Sequence, residues 1–247
     1  MFGRGNKLLA AMGEDFTLLQ PYLRRAPLAA GEILYDIGDE VSRVYFPCSG
    51  LVSKLSVFED GSEIECALVG RNGALGALSA LGLSYALTRD VCHLPCEALV
   101  LSTERLGEAA RISPHIHECL DRYCAWVMIS AVRSGACNAC HSVDNRLCRW
   151  LLTCRDILER DEIPLSQDIF AKMLGVQRSS VSPILQKLRN EGLVALERGR
   201  LRILDPPALL ARSCECYASM TSTGRQWLSF EHTAPRFLGR APRRARS

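Results

Sequence analysis

The stretch from residue 166 to residue 188 constrains the fold of this chain more than any other, because its spacing fits two short helices joined by a tight turn. Ala171, Gly175 and Val181 stand at relative positions 5, 9 and 15 when Gln167 is counted as the first. A small residue is required at position 5, Ala171, because the second helix crosses closely there. The turn at position 9 favours the positive φ that glycine adopts at little cost. Val181 would fill the gap between the helices. This spacing predicts a helix-turn-helix.

Polar side chains are expected at the start of both helices of this motif. Ser166 stands where the amino-terminal cap of the first helix, residues 167–174, should lie. The second helix, residues 177–190, would bury an apolar stripe and begin with short or basic hydrogen-bonding side chains. The residues expected to contact double-stranded DNA, including those of the turn described next, are Ser166, Gln177, Arg178, Ser179, Ser180, Ser182, Lys187, Arg198 and Arg200.

A β-hairpin is expected directly after the second helix. Gly192 would end that helix, residues 193–196 and 201–204 have the pattern of two strands, and residues 198–200 form a basic turn between them. A helix-turn-helix that leads into such a hairpin is a winged helix, in which the second helix enters the major groove while arginines of the turn approach phosphates. An ordinary solvated loop is the alternative for a two-arginine turn, but its position favours phosphate contact.

The charge distribution agrees with a nucleic-acid partner for the second half of the chain. The 247 residues carry a net charge of +3. Residues 1–141 hold 12 Lys and Arg against 16 Asp and Glu, whereas residues 142–247 hold 18 against 11. The positive half therefore contains the predicted helix-turn-helix, as phosphate binding requires. The arginine- and proline-rich end of the chain predicts a disordered basic tail over residues 218–247.

Short alternating runs separated by glycine turns predict an all-β unit between Pro27 and Glu104. Strands at this spacing are typical of a barrel or jelly roll. The expected strands are residues 33–35, 43–47, 50–57, 62–69, 85–93 and 97–102.

A long helix is expected after the β unit. Ser113 and Pro114 form a start signal, with serine as the cap and proline at the first helical position. A helix over residues 114–133 would then present the a/d seam of a coiled coil, and this seam is expected to pack against a second subunit. The alternative is a helix buried within its own chain. The expected dimerisation residues are Ile116, Leu120, Tyr123, Val127 and Ser130.

The order of β-roll, long helix and winged helix resembles the Crp/Fnr family of bacterial transcription regulators. The resemblance covers residues 14–217 and is densest in residues 31–39, 45–50, 147–152 and 165–205. It implies a cyclic-nucleotide-binding-like β-roll, a homodimer and palindromic promoter sites, with RNA polymerase as a further partner. The implied α+β fold comprises a jelly-roll-like sensor domain (14–112), a dimerisation helix and hinge (113–140), a winged helix-turn-helix (141–217) and the tail (218–247).

The second helix of the motif departs from the best-known family pattern, Arg-Glu-(Thr/Ser)-Val-(Gly/Ser)-Arg. Arg178 matches the first arginine, but Ser179 replaces the glutamate and Pro183 the second arginine. Arg178 can still pair with the O6 and N7 atoms of a guanine. We therefore expect a different DNA consensus and retained DNA binding.

The stretch that corresponds to the family's phosphate-binding helix also departs from the pattern. Cyclic-nucleotide-binding members carry Gly-Glu-Leu and then an Arg-Ser or Arg-Thr pair, and both the glutamate and the arginine are missing here. Cyclic nucleotide binding is therefore not expected, while a different small molecule in the roll remains open. The candidate effector-binding residues are Gly76, Ala77, Leu78, Ser84 and Tyr85.

The twelve cysteines are expected to remain thiols, many of them buried. The iron–sulfur members of the family carry a cysteine cluster before the roll, but residues 1–30 contain no cysteine, so that cluster is not expected. No other cofactor is expected, although the Cys-x2-Cys-His run at residues 137–141 could hold a metal or close a disulfide. Cys137 and Cys140, next to His141, are the candidate redox pair. The alternative is that these thiols are buried or idle.

Three other classes of protein compete with a cytoplasmic DNA-binding regulator. An enzyme is not expected, because no nucleophile triad, phosphate loop, paired-carboxylate motif or zinc-protease helix stands out. A cysteine-based metal or redox protein and a ligand-binding β-roll without DNA binding are the remaining alternatives. No apolar run approaches the roughly 20 residues that span a bilayer, so no membrane association is expected.

Overall fold

The computed structural model describes residues 5–229, and the side chains up to residue 222. Its amino-terminal part is a β-roll preceded by a short helix, α1 (Lys7–Ala11), and by 3₁₀ turns at Gly13–Leu18 and Gln20–Tyr22. A third 3₁₀ turn, Ala77–Leu81, lies between the fifth and sixth strands. The strands of the roll are β1 (Arg24–Leu28), β2 (Ile33–Tyr35), β3 (Arg43–Pro47), β4 (Leu51–Val57), β5 (Glu63–Val69), β6 (Arg89–Leu94) and β7 (Cys96–Ser102).

Two antiparallel sheets form the roll, in the orders β1-β7-β3 and β2-β6-β4-β5. Six of the strands fall on the stretches that sequence alternation predicts, although β6 begins at Arg89 and not at Tyr85, which makes only an isolated bridge to Glu40. The sequence analysis missed β1, which pairs along its length with β7. Strand β1 contains Pro27 and buries only Leu28, so it lacks the alternation that indicates a strand.

The long helix begins where the sequence predicts but ends later. After α2 (Thr103–Ile112), helix α3 (Pro114–Cys140) starts with Ser113, whose hydroxyl accepts a hydrogen bond from the Ile116 N–H. The predicted end at residue 133 is wrong, because no cap or proline interrupts the seven residues that follow. The hinge between α3 and the next helix therefore consists only of His141 and Ser142, and Ser142 is the cap of that next helix.

The carboxy-terminal part is a winged helix, as predicted. It comprises α4 (Val143–Leu158), β8 (Glu162–Ile163), α5 (Gln167–Leu174), α6 (Arg178–Asn190), β9 (Val194–Glu197), β10 (Arg200–Ile203) and α7 (Pro206–Arg212). The hairpin forms an antiparallel sheet in the order β8-β10-β9, so β8 is a wing strand that the sequence analysis missed. Helix α8 (Cys216–Ser229) follows, which corrects the disorder expected from residue 218; residues 230–247 lie outside the described part.

One apolar core joins the roll to the winged helix. Leu51 and Leu55 of β4 are fully buried in the same cluster as Trp150 of α4 and Phe170 of α5. The rings of Trp150 and Phe170 meet edge to face with their centroids 5.5 Å apart. A second core lies between the roll and the first half of α3. None of the described helices combines the length and the hydropathy needed to cross a membrane.

Candidate DNA interface and sensor cavity

The turn between α5 and α6 has the geometry that its sequence predicts. Gly175 adopts a φ of +62°, and the Val176 N–H donates to the Ala171 carbonyl at 3.0 Å, which closes the end of α5. Ala171 and Val181 are buried between the two helices, at 5% and 0% exposure. Ser166 has the extended backbone of a cap, but its hydroxyl makes no capping hydrogen bond. The turn therefore fixes the angle at which α6 is presented.

The leading residues of α6 face away from the protein. Gln177, Arg178, Ser179 and Ser180 are all exposed, and Ser182 is half-buried. The opposite face packs inward through Leu185, Leu188 and Val181, and Ile184 is half-buried. Pro183 lies inside the helix without ending it, although proline removes one helical hydrogen bond. This helix presents a polar edge to solvent over its first turns, as reading of base edges requires.

Two side chains of the interface are held by neighbours on α5. The Arg178 guanidinium donates from Nη1 to both carboxylate oxygens of Asp168, at 3.0 and 3.1 Å. The Ser182 hydroxyl donates to Gln167 Oε1 at 2.9 Å. Both members of the Arg178–Asp168 pair are 63% exposed, so solvent weakens the pair and the arginine can exchange partners.

The basic residues of the wing differ in their surroundings. Arg200 pairs with Glu197 at 3.0 Å and with Glu162 at 3.6 Å. Arg198, at the tip of the hairpin, and Lys187 on α6 are exposed and form no ion pair among the described residues. Among the predicted contact residues, Arg198 and Lys187 are therefore more available to phosphates than Arg200.

The winged helix is docked against its own β-roll through a polar centre. Buried Glu65 of β5 accepts hydrogen bonds from Trp150 Nε1 at 2.8 Å and from the Ser53 hydroxyl at 2.6 Å. Burial raises the pKa of Glu65 to about 7, although these two hydrogen bonds act to lower it. At the edge of this contact Lys172 forms an ion pair with Glu63.

The turn glycine takes part in the same contact. A Cβ on Gly175 would lie 2.9 Å from Ile64 Cγ1 of the roll. The turn of the helix-turn-helix therefore touches the roll, and glycine is needed there both for its φ and for the close approach.

A cavity of about 180 Å³ lies between the roll and α3. Four of the five candidate effector-binding residues line it, and Ser84 is exposed outside it. The remaining walls come from α3 through Tyr123, Cys124, Val127 and Ala131. Most of the lining is apolar, which suits a small apolar ligand.

The lining of this cavity does not fit a cyclic nucleotide. Lys54 is the one cation among the described lining residues, and Asp90 holds it with two hydrogen bonds of 2.8 and 2.6 Å. Arg89 lies nearby but is paired with Asp36 and Glu63. A cyclic phosphate would therefore meet no unpaired positive charge among these residues.

The predicted dimer seam lies against the β-roll of its own chain. Ile116, Leu120 and Tyr123 are 0–2% exposed in a single chain, and the Tyr123 hydroxyl donates to the Ala74 carbonyl at 2.6 Å. Ser130 is also buried and Val127 is half-buried. This corrects the expected register, because side chains that already fill a core are not available to a partner. The exposed apolar stripe of α3 consists instead of Ala125, Met128, Ile129 and Val132.

The two cysteines of the candidate redox pair lie in different environments. Cys140 is exposed, whereas Cys137 is fully buried with its Sγ 3.5 Å from Cys214 Sγ. Cys216 and His141 complete this group. Sequence spacing did not pair these residues, because 77 positions separate Cys137 from Cys214 and only the packing of α8 on α3 brings them together.

The comparisons with known proteins agree with this architecture. Residues 25–112 match the family model of the cyclic nucleotide-binding domain, and residues 145–212 match that of the Crp-like helix-turn-helix domain. The global nitrogen regulator of Synechococcus elongatus is 27% identical over 188 residues, which cover 72% of this chain and 85% of the relative. The transcriptional activator protein FnrA of Stutzerimonas stutzeri is 24% identical over 212 residues, covering 80% and 84%.

Solved structures share the fold at low sequence identity. FixK2 from Bradyrhizobium japonicum superposes with a TM-score of 0.69 at 15% identity, covering 78% of this chain and 98% of that one. A transcriptional regulator of the Crp/Fnr family from Eubacterium rectale gives a TM-score of 0.64 at 18% identity, covering 81% and 94%.

A sensor-type β-roll followed by a winged helix defines a DNA-binding transcription regulator. With both family domains present in this order and with these relatives, the chain belongs to the Crp/Fnr family. The two relatives named above are a nitrogen regulator and an activator of transcription by their names, and neither is named as an enzyme.

Proposed function

We propose that this protein acts in the cytoplasm as a homodimer that binds a palindromic promoter site, with RNA polymerase as a further partner. The observation that carries this proposal is the exposed start of α6, on the same domain as a wing arginine, Arg198, that forms no ion pair among the described residues. A helix presented in this way fits the major groove while the hairpin reaches the sugar–phosphate backbone.

Contacts with DNA bases and contacts with phosphates are assigned to different residues. Arg178 is placed to read a guanine, with Gln177, Ser179 and Ser180 as neighbouring hydrogen-bonding groups. Arg198 and Lys187 contact phosphates, together with Ser166 and Arg200 at the edges of the interface. Since Ser179 and Pro183 replace the glutamate and the second arginine of the best-known pattern, the half-site differs from the one that pattern reads.

The dimer forms through the exposed stripe of α3. Ala125, Met128 and Val132 follow the spacing of three and four residues that a helix pair requires, and Met128 and Val132 are 62% and 69% exposed. A second copy of this chain is the occupant, because a two-fold DNA site requires two winged helices related by an axis. At about 100° per residue, this stripe lies on nearly the opposite face of α3 from the predicted seam.

The β-roll, residues 14–112, is the sensor domain, residues 113–140 link it to the partner subunit, and residues 141–217 bind DNA. The cavity under α3 takes a small, mainly apolar effector and not a cyclic nucleotide. Because α3 forms one wall of the cavity and also ends at the hinge, occupancy of the cavity can alter how the winged helix is held.

Selection of bound duplexes from a random pool, followed by affinity measurements at several salt concentrations, tests the DNA interface. We expect a two-fold site whose half-sites are about one helical turn apart. The Arg178→Ala variant should lose about 1–3 kcal/mol of discrimination at one base position of each half-site. The Arg198→Ala variant should weaken binding evenly across sequences and reduce the salt dependence by about one counterion per subunit.

Arg189→Ala is the matched control, because Arg189 is exposed at the far end of the same helix. An unchanged consensus in the Arg178→Ala variant would remove Arg178 from the reading residues. Recovery of unselected DNA with the wild type would contradict sequence-specific binding.

A further inference from the structure

A group of three thiols and one imidazole lies at the joint between the long helix and the carboxy-terminal helix. We call Cys137, His141, Cys214 and Cys216 the thiol–imidazole cluster. Cys137 is in the last turn of α3 and His141 is the residue that ends it, while Cys214 and Cys216 lie where α7 passes into α8. The potential ligand atoms of all four residues lie within 4.8 Å of one another.

Two separations within the cluster match the edges of a tetrahedral zinc site, and the others are within 4.8 Å. With Zn–S bonds of about 2.3 Å and Zn–N bonds of about 2.0 Å, tetrahedral geometry places neighbouring ligand atoms about 3.5–3.8 Å apart. The Cys137 and Cys214 Sγ atoms are 3.5 Å apart, and Cys216 Sγ is 3.7 Å from His141 Nδ1. These sulfur atoms are well beyond the roughly 2.05 Å of a disulfide bond, and all of the cysteines are free.

The imidazole has the surroundings of a metal ligand. Nδ1 of His141 is turned towards Cys216, while Nε2 lies 3.3 Å from Glu215 Oε1. A ligating histidine usually donates its second ring N–H to a carboxylate or a carbonyl, which fixes the tautomer and the orientation of the ring. Glu215 stands between two members of the cluster in sequence and supplies that carboxylate.

The charges around the cluster favour an anionic centre. Arg146 and Arg149 are buried at 7% and 6% exposure, and neither forms an ion pair with a carboxylate among the described residues. The Nε atoms of both have no hydrogen-bond partner in this part of the chain. Both guanidinium groups interact electrostatically with Cys137 and Cys214. Zn²⁺ bound by three thiolates and a neutral imidazole carries a net charge of about −1, which these buried cations would offset.

Burial distinguishes this cluster from a chance gathering of surface cysteines. Cys137, Cys214 and Cys216 are 0%, 6% and 2% exposed, and together they form a buried cluster of their own. Four protein donors leave no open coordination position, which is the arrangement of a structural zinc site. Thiolate sulfur also selects Zn²⁺ over Mg²⁺ or Ca²⁺.

We propose that Cys137, His141, Cys214 and Cys216 bind one Zn²⁺ ion that ties the end of α3 to the start of α8. Binding requires the three thiols to ionise, so three protons leave as the metal enters. The bound ion replaces weak thiol contacts by four coordinate bonds at the hinge, and it therefore stabilises one arrangement of the winged helix on the long helix.

Metal analysis of the full chain, purified under reducing conditions, tests the site. We expect one zinc per chain in the wild type and in the Cys140→Ser variant, whose thiol is exposed outside the cluster. The Cys137→Ser and Cys216→Ser variants should bind zinc at least tenfold more weakly, and Glu215→Gln should show a smaller loss. An equal loss in Cys140→Ser and Cys137→Ser would overturn the assignment.

A second measurement uses only the wild-type chain and remains informative if the serine variants fail to fold. Zinc is removed with a chelator and Co²⁺ is added in steps. The visible bands of tetrahedral Co²⁺ and the near-ultraviolet bands of thiolate-to-cobalt charge transfer should saturate at one equivalent and disappear on addition of Zn²⁺. Absence of charge-transfer bands, or a Cys137–Cys214 disulfide in place of metal, would overturn the proposal. Neither readout depends on DNA binding.

Discussion

At the scale of single residues, Asp168 is placed to compete with DNA for Arg178 at the proposed interface. The carboxylate occupies the same guanidinium nitrogen that a guanine edge or a phosphate would accept from. Any DNA contact of Arg178 through this nitrogen must first release Asp168, whose carboxylate is 63% exposed. At the proposed interface, the pair would therefore lower the affinity of the protein for DNA.

The Asp168→Asn variant should therefore bind DNA more tightly. An exposed pair of this kind is worth about 0.2–1 kcal/mol, so we expect an increase in affinity of up to about fivefold at low salt, shrinking as salt is raised. Fluorescence anisotropy with a fixed duplex measures it. Asp161→Asn, which removes the same charge from an exposed pair with Arg155, is the control. If both variants gain equally, net charge and not the release of Arg178 accounts for the effect.

At the scale of elements, the two faces of α3 have different surroundings. The face with Ile116, Leu120 and Tyr123 belongs to the core of the chain, and the roughly opposite stripe with Met128 and Val132 is exposed. A helix apolar on more than one face is expected when it packs between a domain and a second subunit.

The Val132→Glu variant should convert the dimer into a folded monomer. A charge placed in an apolar helix pair is buried without a partner, which costs several kcal/mol, whereas in the isolated chain this position is 69% exposed. Sedimentation velocity measures the mass and circular dichroism the folding. Ile112→Glu, at an equally exposed apolar position on α2, should leave the dimer intact. A dimer that survives in Val132→Glu would place the interface elsewhere.

Helix α3 also shows which features can be predicted from the sequence and which cannot. The start at Ser113-Pro114 could be predicted because capping is local, and the turn at Gly175 because its φ and its spacing are local. The choice between two apolar faces could not, because it depends on which face meets the roll. Strand β1 was missed for a related reason: its pairing with β7 stabilises a segment that has no alternation of its own. The thiol–imidazole cluster could not be predicted from sequence either, because only tertiary packing brings Cys137 and Cys214 together.

At the scale of the whole molecule, the winged helix and the β-roll are parts of one buried contact with an ionisable centre. Glu65 reaches Trp150 from the roll, and its pKa is raised above the ordinary value of 4.5 by burial. A raised carboxyl pKa means that the docked state favours the protonated form. Its contribution to stability is fully present below pH 4.5 and is lost as the pH rises through about 7.

The wild-type chain should therefore lose docking stability between pH 5 and pH 8, by roughly 3 kcal/mol in total. Glu65→Gln keeps the shape and the hydrogen bond to Trp150 but has no proton to lose, so its stability should fall less over this range. Urea unfolding at pH 5, 6, 7 and 8, followed by Trp fluorescence, measures the difference. Parallel curves for the two proteins would show that Glu65 does not titrate in this range.

Helix α3 runs without interruption from the cavity to the hinge, so a movement at the cavity can be transmitted to the hinge. Val127 and Ala131 form a wall of the cavity, and the same helix continues without a break to Cys140, beside the hinge. At 1.5 Å per residue, about 20 Å of rigid rod separates Val127 from that end. A tilt of about 5° at the cavity would move the far end by about 2 Å. Two such rods lying side by side would convert a small change inside each roll into a change in the spacing between two reading helices.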